Sequence, residues 1–184
     1  MIETPRLILR PQEPQDLAWQ LAALNTPAVM RFLGGAPRPP EAFAAGFERN
    51  ARAWQTGEPA FFTVILRETD ELIGKCGLSR ISESRAPDSI RGAIQVGWTL
   101  AEPFWGKGYA LEAALAVVAH GFATFGVPEL WAQTSDSNAA STALMVRLGM
   151  ERRSDLFYRD PDYPPADNPT TVYRIGREEW AAQE

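Results

Sequence analysis

Between residues 93 and 126 the chain passes from an apolar run, Ala93 to Leu100, through Glu102-Pro103-Phe104-Trp105-Gly106-Lys107-Gly108 into an alanine-rich segment that opens at Tyr109. This strand–glycine loop–helix junction constrains the fold more than any other stretch. Leu111, Leu115, Val118 and Phe122 recur at helical spacing, so the segment after the glycines has an apolar face that needs a layer to lie on. The glycines admit two readings. They can be a plain strand-to-helix turn. They can also be an anion cradle, because a helix N-terminus leaves N–H groups unpaired and glycine lets a ligand approach the bare backbone. In the second reading Gly106 and Gly108 supply access, and Tyr109 and Ala110 supply first-turn N–H groups. The stretch is not a Walker loop, since no Gly-Lys-Ser/Thr is present, and Leu111 stands where a dinucleotide fingerprint needs its third glycine.

A chain of 184 residues suits one domain, residues 1–184, with a sizeable core. No apolar run is long enough to span a bilayer. The opening MIETPRLILRPQ lacks the pattern of a signal peptide, and Cys76 is the lone cysteine, so no internal disulfide and no cysteine-built zinc site is expected. A reducing, cytoplasmic location is the expectation. The formal charge of −5 argues against nucleic acid as a partner. It leaves small anions open, because local N–H clusters bind those whatever the net charge.

The remaining pattern predicts a mixed α/β sheet. A short strand lies near Leu7 and Leu9. Leu17, Leu21 and Leu24 mark a helix with Asp16 as N-cap. Phe43, Phe47 and Trp54 mark a second helix, closed by Gly57. Phe61 to Arg67 and Leu72 to Ile81 read as a hairpin joined by ETDE. Gly126 and Pro128 end the helix after the glycine loop. Leu130 to Thr134 is a strand, Asn138 to Leu148 a helix stopped by Gly149, and Met150 to Tyr158 and Thr171 to Ile175 are two last strands. YRDPDYPPADNP between those two is too proline-rich for a strand interior.

Several of these features in order resemble the GNAT superfamily of acyl-CoA-dependent N-acetyltransferases. The family signature, Arg/Gln-x-x-Gly-x-Gly/Ala, is matched by Trp105-Gly106-Lys107-Gly108-Tyr109-Ala110. Trp105 replaces the usual first residue, as in the ribosomal-protein N-acetyltransferase branch. That branch also opens like Thr4-Pro5-Arg6-Leu7-Ile8-Leu9-Arg10, and carries steps similar to Val96-Gly97-Trp98, Asn138-Ala139-Ala140-Ser141 and Leu148-Gly149-Met150. The resemblance implies a mostly antiparallel mixed sheet, splayed in the middle and flanked by helices. It implies acetyl transfer from acetyl-CoA to an amine through a tetrahedral intermediate, with no metal, and it admits a homodimer.

By the same resemblance, main-chain groups of Trp98, Thr99 and Leu100 bind the pantetheine arm, and one N–H polarises the thioester carbonyl. The loop from Trp105 through Ala110 holds the pyrophosphate, with Lys107 either leaning toward it or simply solvated. Asn138 contacts pantetheine or caps its helix, and Ser141 protonates the departing thiolate. Arg147 either reaches the 3′-phosphate or complements its helix C-terminus. Many relatives have a glutamate two residues before the strand glycine; here that residue is Gln95, which cannot take a proton. Glu112, Asp136 and Asp155 are the remaining candidate bases, and His120 is expected at the surface. A weakly basic acceptor needs least help, since an α-amino group with pKa ~7.7–8.0 is far more neutral near pH 7 than a lysine at ~10.4. Met30, Arg31, Phe32, Leu33, Phe43, Trp54 and the Tyr158 to Asn168 segment are the candidate acceptor region. Two function classes fit this sequence: an N-acetyltransferase, and a catalytically weak module that holds acyl-CoA.

Overall fold

The computed structural model describes residues 1–161 and 163–183. Asp162, inside the proline-rich stretch, lies outside them. Eight strands form one sheet: β1 (Ile2–Glu3), β2 (Leu7–Pro11), β3 (Phe61–Leu66), β4 (Glu71–Arg80), β5 (Ile94–Leu100), β6 (Glu129–Ser135), β7 (Glu151–Arg152) and β8 (Thr170–Gly176). The six α-helices are α1 (Asp16–Leu24), α2 (Pro27–Met30), α3 (Pro40–Thr56), α4 (Tyr109–Phe125), α5 (Ala139–Arg147) and α6 (Arg177–Ala181). The strand order is β1-β2-β3-β4-β5-β6-β8-β7. Every neighbouring pair is antiparallel except β5 and β6, which run parallel. The mixed, mostly antiparallel sheet flanked by helices is the one the resemblance implies.

The parallel pair is where the sheet opens. β4 and β5 pair along seven positions, Gly74↔Leu100 to Arg80↔Ile94, whereas β5 meets β6 only at Gln95↔Trp131. Beyond that bridge the two strands diverge. The divergence leaves one edge of β5 without a ladder partner, and an unpaired edge needs another acceptor and donor for its main chain.

Two helical layers cover the faces. Leu78 and Leu130 receive α4: a Cβ placed on Gly121 would stand 3.0 Å from Leu130 and 3.1 Å from Leu78. On the other face, Thr63 of β3 donates to Asp16 of α1 at 2.8 Å, and Asn50 and Trp54 of α3 both donate to the Phe61 carbonyl at 2.9 Å. β2 alternates as its sequence requires, with Leu7 and Leu9 fully buried; each such leucine contributes about 1.5–3 kcal/mol.

Four expectations change. Asp16 is not an N-cap: Gln15 holds that position and its side chain does not cap the helix. The Asp16 carboxylate, 2% exposed, instead accepts two bonds of 2.8 Å from Arg10, one from the Glu13 N–H and one from Thr63. The buried stripe of α4 is Ala113, Ala114, Val117, Val118, Gly121 and Phe122, and Leu115 is exposed. The small residues of that stripe, Ala113, Ala114 and Gly121, let the helix sit close to the sheet. Met150 to Tyr158 is not one strand: β7 is two residues long, a 3-10 turn follows at Ser154–Leu156, and Tyr158 bridges only Thr170. His120 is half-buried, its ring edge-on to Phe62 at 5.3 Å and Phe125 at 6.4 Å. Burial holds its pKa below the ordinary histidine value.

Candidate active site

A cleft of about 1030 Å³ joins the opening between β5 and β6 to the start of α4. Its wall includes Val96 to Leu100, Trp105, Gly106, Gly108 to Leu111, Asn138, Ser141 and Arg147. These come from three separate segments that the topology brings together. Lys107 is the one proposed loop residue that does not line it. Its Nζ lies 5.5 Å over the Phe104 ring, and its carbonyl accepts from Arg6 Nη1 at 3.0 Å.

Main-chain direction in β5 follows from the ladder. The Ala101 N–H donates to Ile73 of β4 and the Ala93 carbonyl accepts from Ile81. Antiparallel pairing alternates, so Thr99, Gly97 and Gln95 also turn their main-chain groups toward β4, and those of Leu100, Trp98 and Val96 point toward the gap. Thr99 therefore has no main-chain group free for a ligand, contrary to the expectation for the three-residue stretch. The Leu100 carbonyl is also engaged, accepting the Trp105 indole N–H at 2.7 Å. What faces the opening is the Trp98 N–H and carbonyl and the Leu100 N–H. Trp105 thus braces the strand end, which explains a tryptophan in place of the signature's first residue.

At the start of α4, Gly106 and Gly108 have φ of 72° and 81°, left-handed conformations that other residues adopt only with strain. The turn itself needs these glycines, so they do not by themselves decide between turn and cradle. The N–H groups decide more. Gly108, at the N-cap position, makes no side-chain cap. Among the described residues, no acceptor is recorded for the N–H groups of 106–111. Five of these residues, Gly106 and Gly108 to Leu111, line the cleft, and unpaired donors of this kind at a helix N-terminus suit an anion. The fit to a diphosphate is therefore good.

The loop is held from a distance. The Glu112 carboxylate accepts from Thr4 Oγ1 at 2.6 Å, the Arg6 N–H at 2.8 Å and Arg6 Nε at 2.6 Å, while the Arg6 guanidinium lies 4.6 Å over the Tyr109 ring. Burial raises the Glu112 pKa, but these hydrogen bonds outweigh it and keep the group below the ordinary carboxylate range. Glu112 is a clamp and not a base, and the Thr4-Pro5-Arg6 opening of the chain is the other half of that clamp. Asp136 pairs with Arg152 and Asp155 with Arg153, both exposed and outside the cleft. No candidate base read from the sequence lines the site.

Asn138 does cap α5, its Oδ1 accepting from the Ser141 N–H at 3.3 Å and its Nδ2 donating to Thr134 Oγ1 at 3.0 Å. Ser141 is half-buried on the cleft wall, with no bond recorded for its hydroxyl among the described residues. Gln95 does not line the cleft. It accepts from Gln133, which does line it and which in turn accepts from the Tyr158 hydroxyl at 2.9 Å. Gln133 and Thr134 were missed in the sequence, where β6 carries only an alternating strand pattern.

Of the residues expected to shape an acceptor site, Met30, Arg31, Phe32, Leu33 and Phe43 line the cleft, joined by Phe61 and Lys75 of the sheet. Trp54 does not; it packs at 4.7 Å against Phe62. The proline-rich segment reaches the site indirectly. Asp167, 2% exposed, accepts a two-pronged contact from Arg31 at 2.6 and 2.9 Å and a bond from Ser137 at 2.7 Å. That fastens the segment to α2, and the Arg31 contact leads the causes that hold the Asp167 pKa low.

Comparison with known proteins follows the same outline. The family model of the acetyltransferase (GNAT) domain matches residues 6–151. The chain is 27% identical over 154 residues to an uncharacterized N-acetyltransferase, p20, of Bacillus licheniformis, covering 83% of each chain. It is 28% identical to an acetyltransferase of Agrobacterium tumefaciens strain C58 whose crystal structure superposes with a TM-score of 0.76 over 96% of this chain and 94% of that one. A ribosomal L7/L12 α-N-protein acetyltransferase solved with coenzyme A has the same fold, with a TM-score of 0.76 at 18% identity over 96% and 97% of the two chains. The split between β5 and β6 and the open helix start beside it thus have a family context: the chain belongs to the GNAT acetyltransferase family and is an acyl-CoA-dependent N-acetyltransferase.

Proposed function

We propose that the protein transfers the acetyl group of acetyl-CoA directly to a primary amine, through a tetrahedral intermediate. The N–H groups of residues 106–111 hold the pyrophosphate, and Arg6, paired with Glu112 and donating to the Lys107 carbonyl, holds the loop in place. Main-chain groups of Trp98 and Leu100 bind the pantetheine arm along the free edge of β5. We assign the Trp98 N–H to the thioester carbonyl, where a fixed dipole in a confined site lowers the barrier by about 3–4 kcal/mol. Ser141 donates to the departing thiolate. A thiol has pKa ~8.5, so this leaving group needs little assistance.

The observation that carries this reading is the single β5–β6 bridge, with the unpaired edge of β5 and the uncapped start of α4 opening into one cleft. The described lining residues include no carboxylate, which favours an acceptor that is neutral near physiological pH, such as a peptide N-terminus or a weakly basic small amine. Thiol release from acetyl-CoA across a panel of primary amines tests the reading, together with calorimetric binding of CoA. Amine-dependent release is the expected result. Tight CoA binding without turnover on any amine would favour the acyl-CoA-holding module instead, and no CoA binding would remove both.

A further inference from the structure

The acceptor half of the cleft has a charge pattern that the transfer reaction alone does not require. The chain holds 23 acidic and 18 basic residues, yet among the described lining residues the charged ones are all cations: Arg31, Arg38, Lys75 and Arg147. Arg31 is matched by Asp167. Arg147 stands at the end of α5, across the gap. Arg38 and Lys75 have no carboxylate within ion-pair distance among the described residues. The Arg38 side chain makes one long bond, 3.4 Å, to the Leu33 carbonyl, and Lys75 Nζ sits 5.7 Å from the centres of both the Phe43 and Phe61 rings.

Neither cation is placed for the pyrophosphate. Lys75 pairs in register with Thr99 and Thr63, and Thr63 faces α1. Lys75 therefore projects from the face covered by α1 and α3, opposite to that of Leu78, on which α4 packs. The uncapped N–H groups belong to α4. Lys75, half-buried between two aromatic rings on the far face, is an unmatched cation with the exposed Arg38 as its neighbour, and the pair calls for an anion of its own.

We infer that the acceptor is an amine that also carries an acidic group, carboxylate or phosphate, which Arg38 and Lys75 hold while the amine points toward the β5–β6 gap. The inference rests on the acetyl-transfer reading and names its substrate class. Burial and the neighbouring Arg38 lower the Lys75 pKa to about 8, the state of an ammonium that lacks a counter-ion. The same positive field disfavours a protonated amine, so it helps keep the acceptor neutral where no carboxylate is at hand to take its proton, and it repels polyamines.

Four amines of matched chain length decide the matter in the thiol-release assay: an ω-amino carboxylate, an ω-aminoalkyl phosphate, the uncharged ω-amino amide and the α,ω-diamine. One of the two acids is expected to exceed the amide in kcat/KM by about 10- to 100-fold, the range of a charge-assisted hydrogen bond, and the diamine by more. The better acid identifies the group. Lys75→Met is expected to erase most of that preference while the acetyl-CoA KM stays within about twofold. Arg38→Gln, at an exposed position, gives the same result by a second route should Lys75→Met fold poorly. A diamine or amide that matches the acids, or a preference that survives both substitutions, overturns the inference. If no amine turns over, calorimetry of the two acids on the CoA-loaded protein decides it, and no binding of either refutes it. Failure to bind CoA at all would refute the acetyl-transfer reading itself, which is a separate result.

Discussion

The two sides of the cleft are made of different material. The side proposed for the nucleotide is mostly main chain: the N–H groups of residues 106–111 and the free edge of β5 at Trp98 and Leu100. The side proposed for the acceptor is side chains, from α2, α3, β3 and β4, with Arg31 tying in the segment around Asp167. A main-chain site depends on backbone path and tolerates most residue changes that keep the path. A side-chain site can be rewritten one residue at a time, so a fold can keep one donor and change acceptors. The inner faces therefore predict two kinds of mutational response.

The largest effect should come from Gly106→Asn. Asparagine tolerates the left-handed conformation, and no protein atom lies within 4 Å of a Cβ there, so the fold is spared. If the glycine serves only the turn, activity survives. If it leaves room for a diphosphate, kcat/KM for acetyl-CoA falls about 100-fold while the melting temperature moves by a few degrees at most. Gly108→Val is a poorer probe, since its strain and a contact of 3.4 Å with Arg6 disturb the protein as well as the ligand.

Ser141→Ala sharpens the comparison at the boundary between the two sides. We expect kcat to drop about 10-fold with CoA affinity unchanged, less than the usual loss of a general acid because a thiolate leaves readily. Equal losses in kcat and CoA affinity would make Ser141 a binding residue. Glu112→Gln should loosen the loop: three hydrogen bonds weaken, stability falls by about 1–2 kcal/mol and the acetyl-CoA KM rises about threefold. Its pH–rate profile should keep the wild-type shape. A lost acidic limb would restore Glu112 as the proton acceptor.

The smallest effect belongs to the acceptor edge. Arg31→Gln should raise the acceptor KM about threefold and leave that of acetyl-CoA alone. Acid makes a related change. The Asp16, Glu112 and Asp167 carboxyls all have folded-state pKa values below their ordinary ones. Each contributes stability that is complete above the ordinary carboxylate pKa, about 4, and is lost as the pH falls through the lower folded value. Chemical denaturation at pH 7 and below pH 4 should show the loss, and Asp16→Asn should flatten it while costing on the order of 3 kcal/mol at neutral pH, because Arg10 is left half-matched.

Local pattern made much of the nucleotide side readable. The run into Gly106 and Gly108, the helix after it, and the Asn138–Ser141 cap are contiguous stretches, and the structure puts Trp105, Gly106, Gly108, Tyr109, Ala110, Asn138 and Ser141 on one cleft but not Lys107. Contiguous apolar periodicity likewise located β3, β4, β5, α3, α4 and α5. What escaped was whatever depends on a distant partner. Thr4 and Arg6 meet Glu112 across more than 100 residues. Gln133 comes to stand in front of Gln95 only because β6 lies parallel to β5. Asp16 looks like a helix cap until Arg10 and Thr63 are brought to it.

The sequence alone determined the local chain path, since glycine positions, β-branched runs and helical stripes each bias a few neighbouring torsions without reference to the rest of the molecule. Only the tertiary structure decided which charges are matched. Asp167 neutralises Arg31, Glu112 is consumed by Arg6, and Arg38 and Lys75 are left facing the cleft without a carboxylate. Electrostatic pairing is a matter of distance in space, and residues far apart in the chain come within 4 Å only once the sheet has closed around its core.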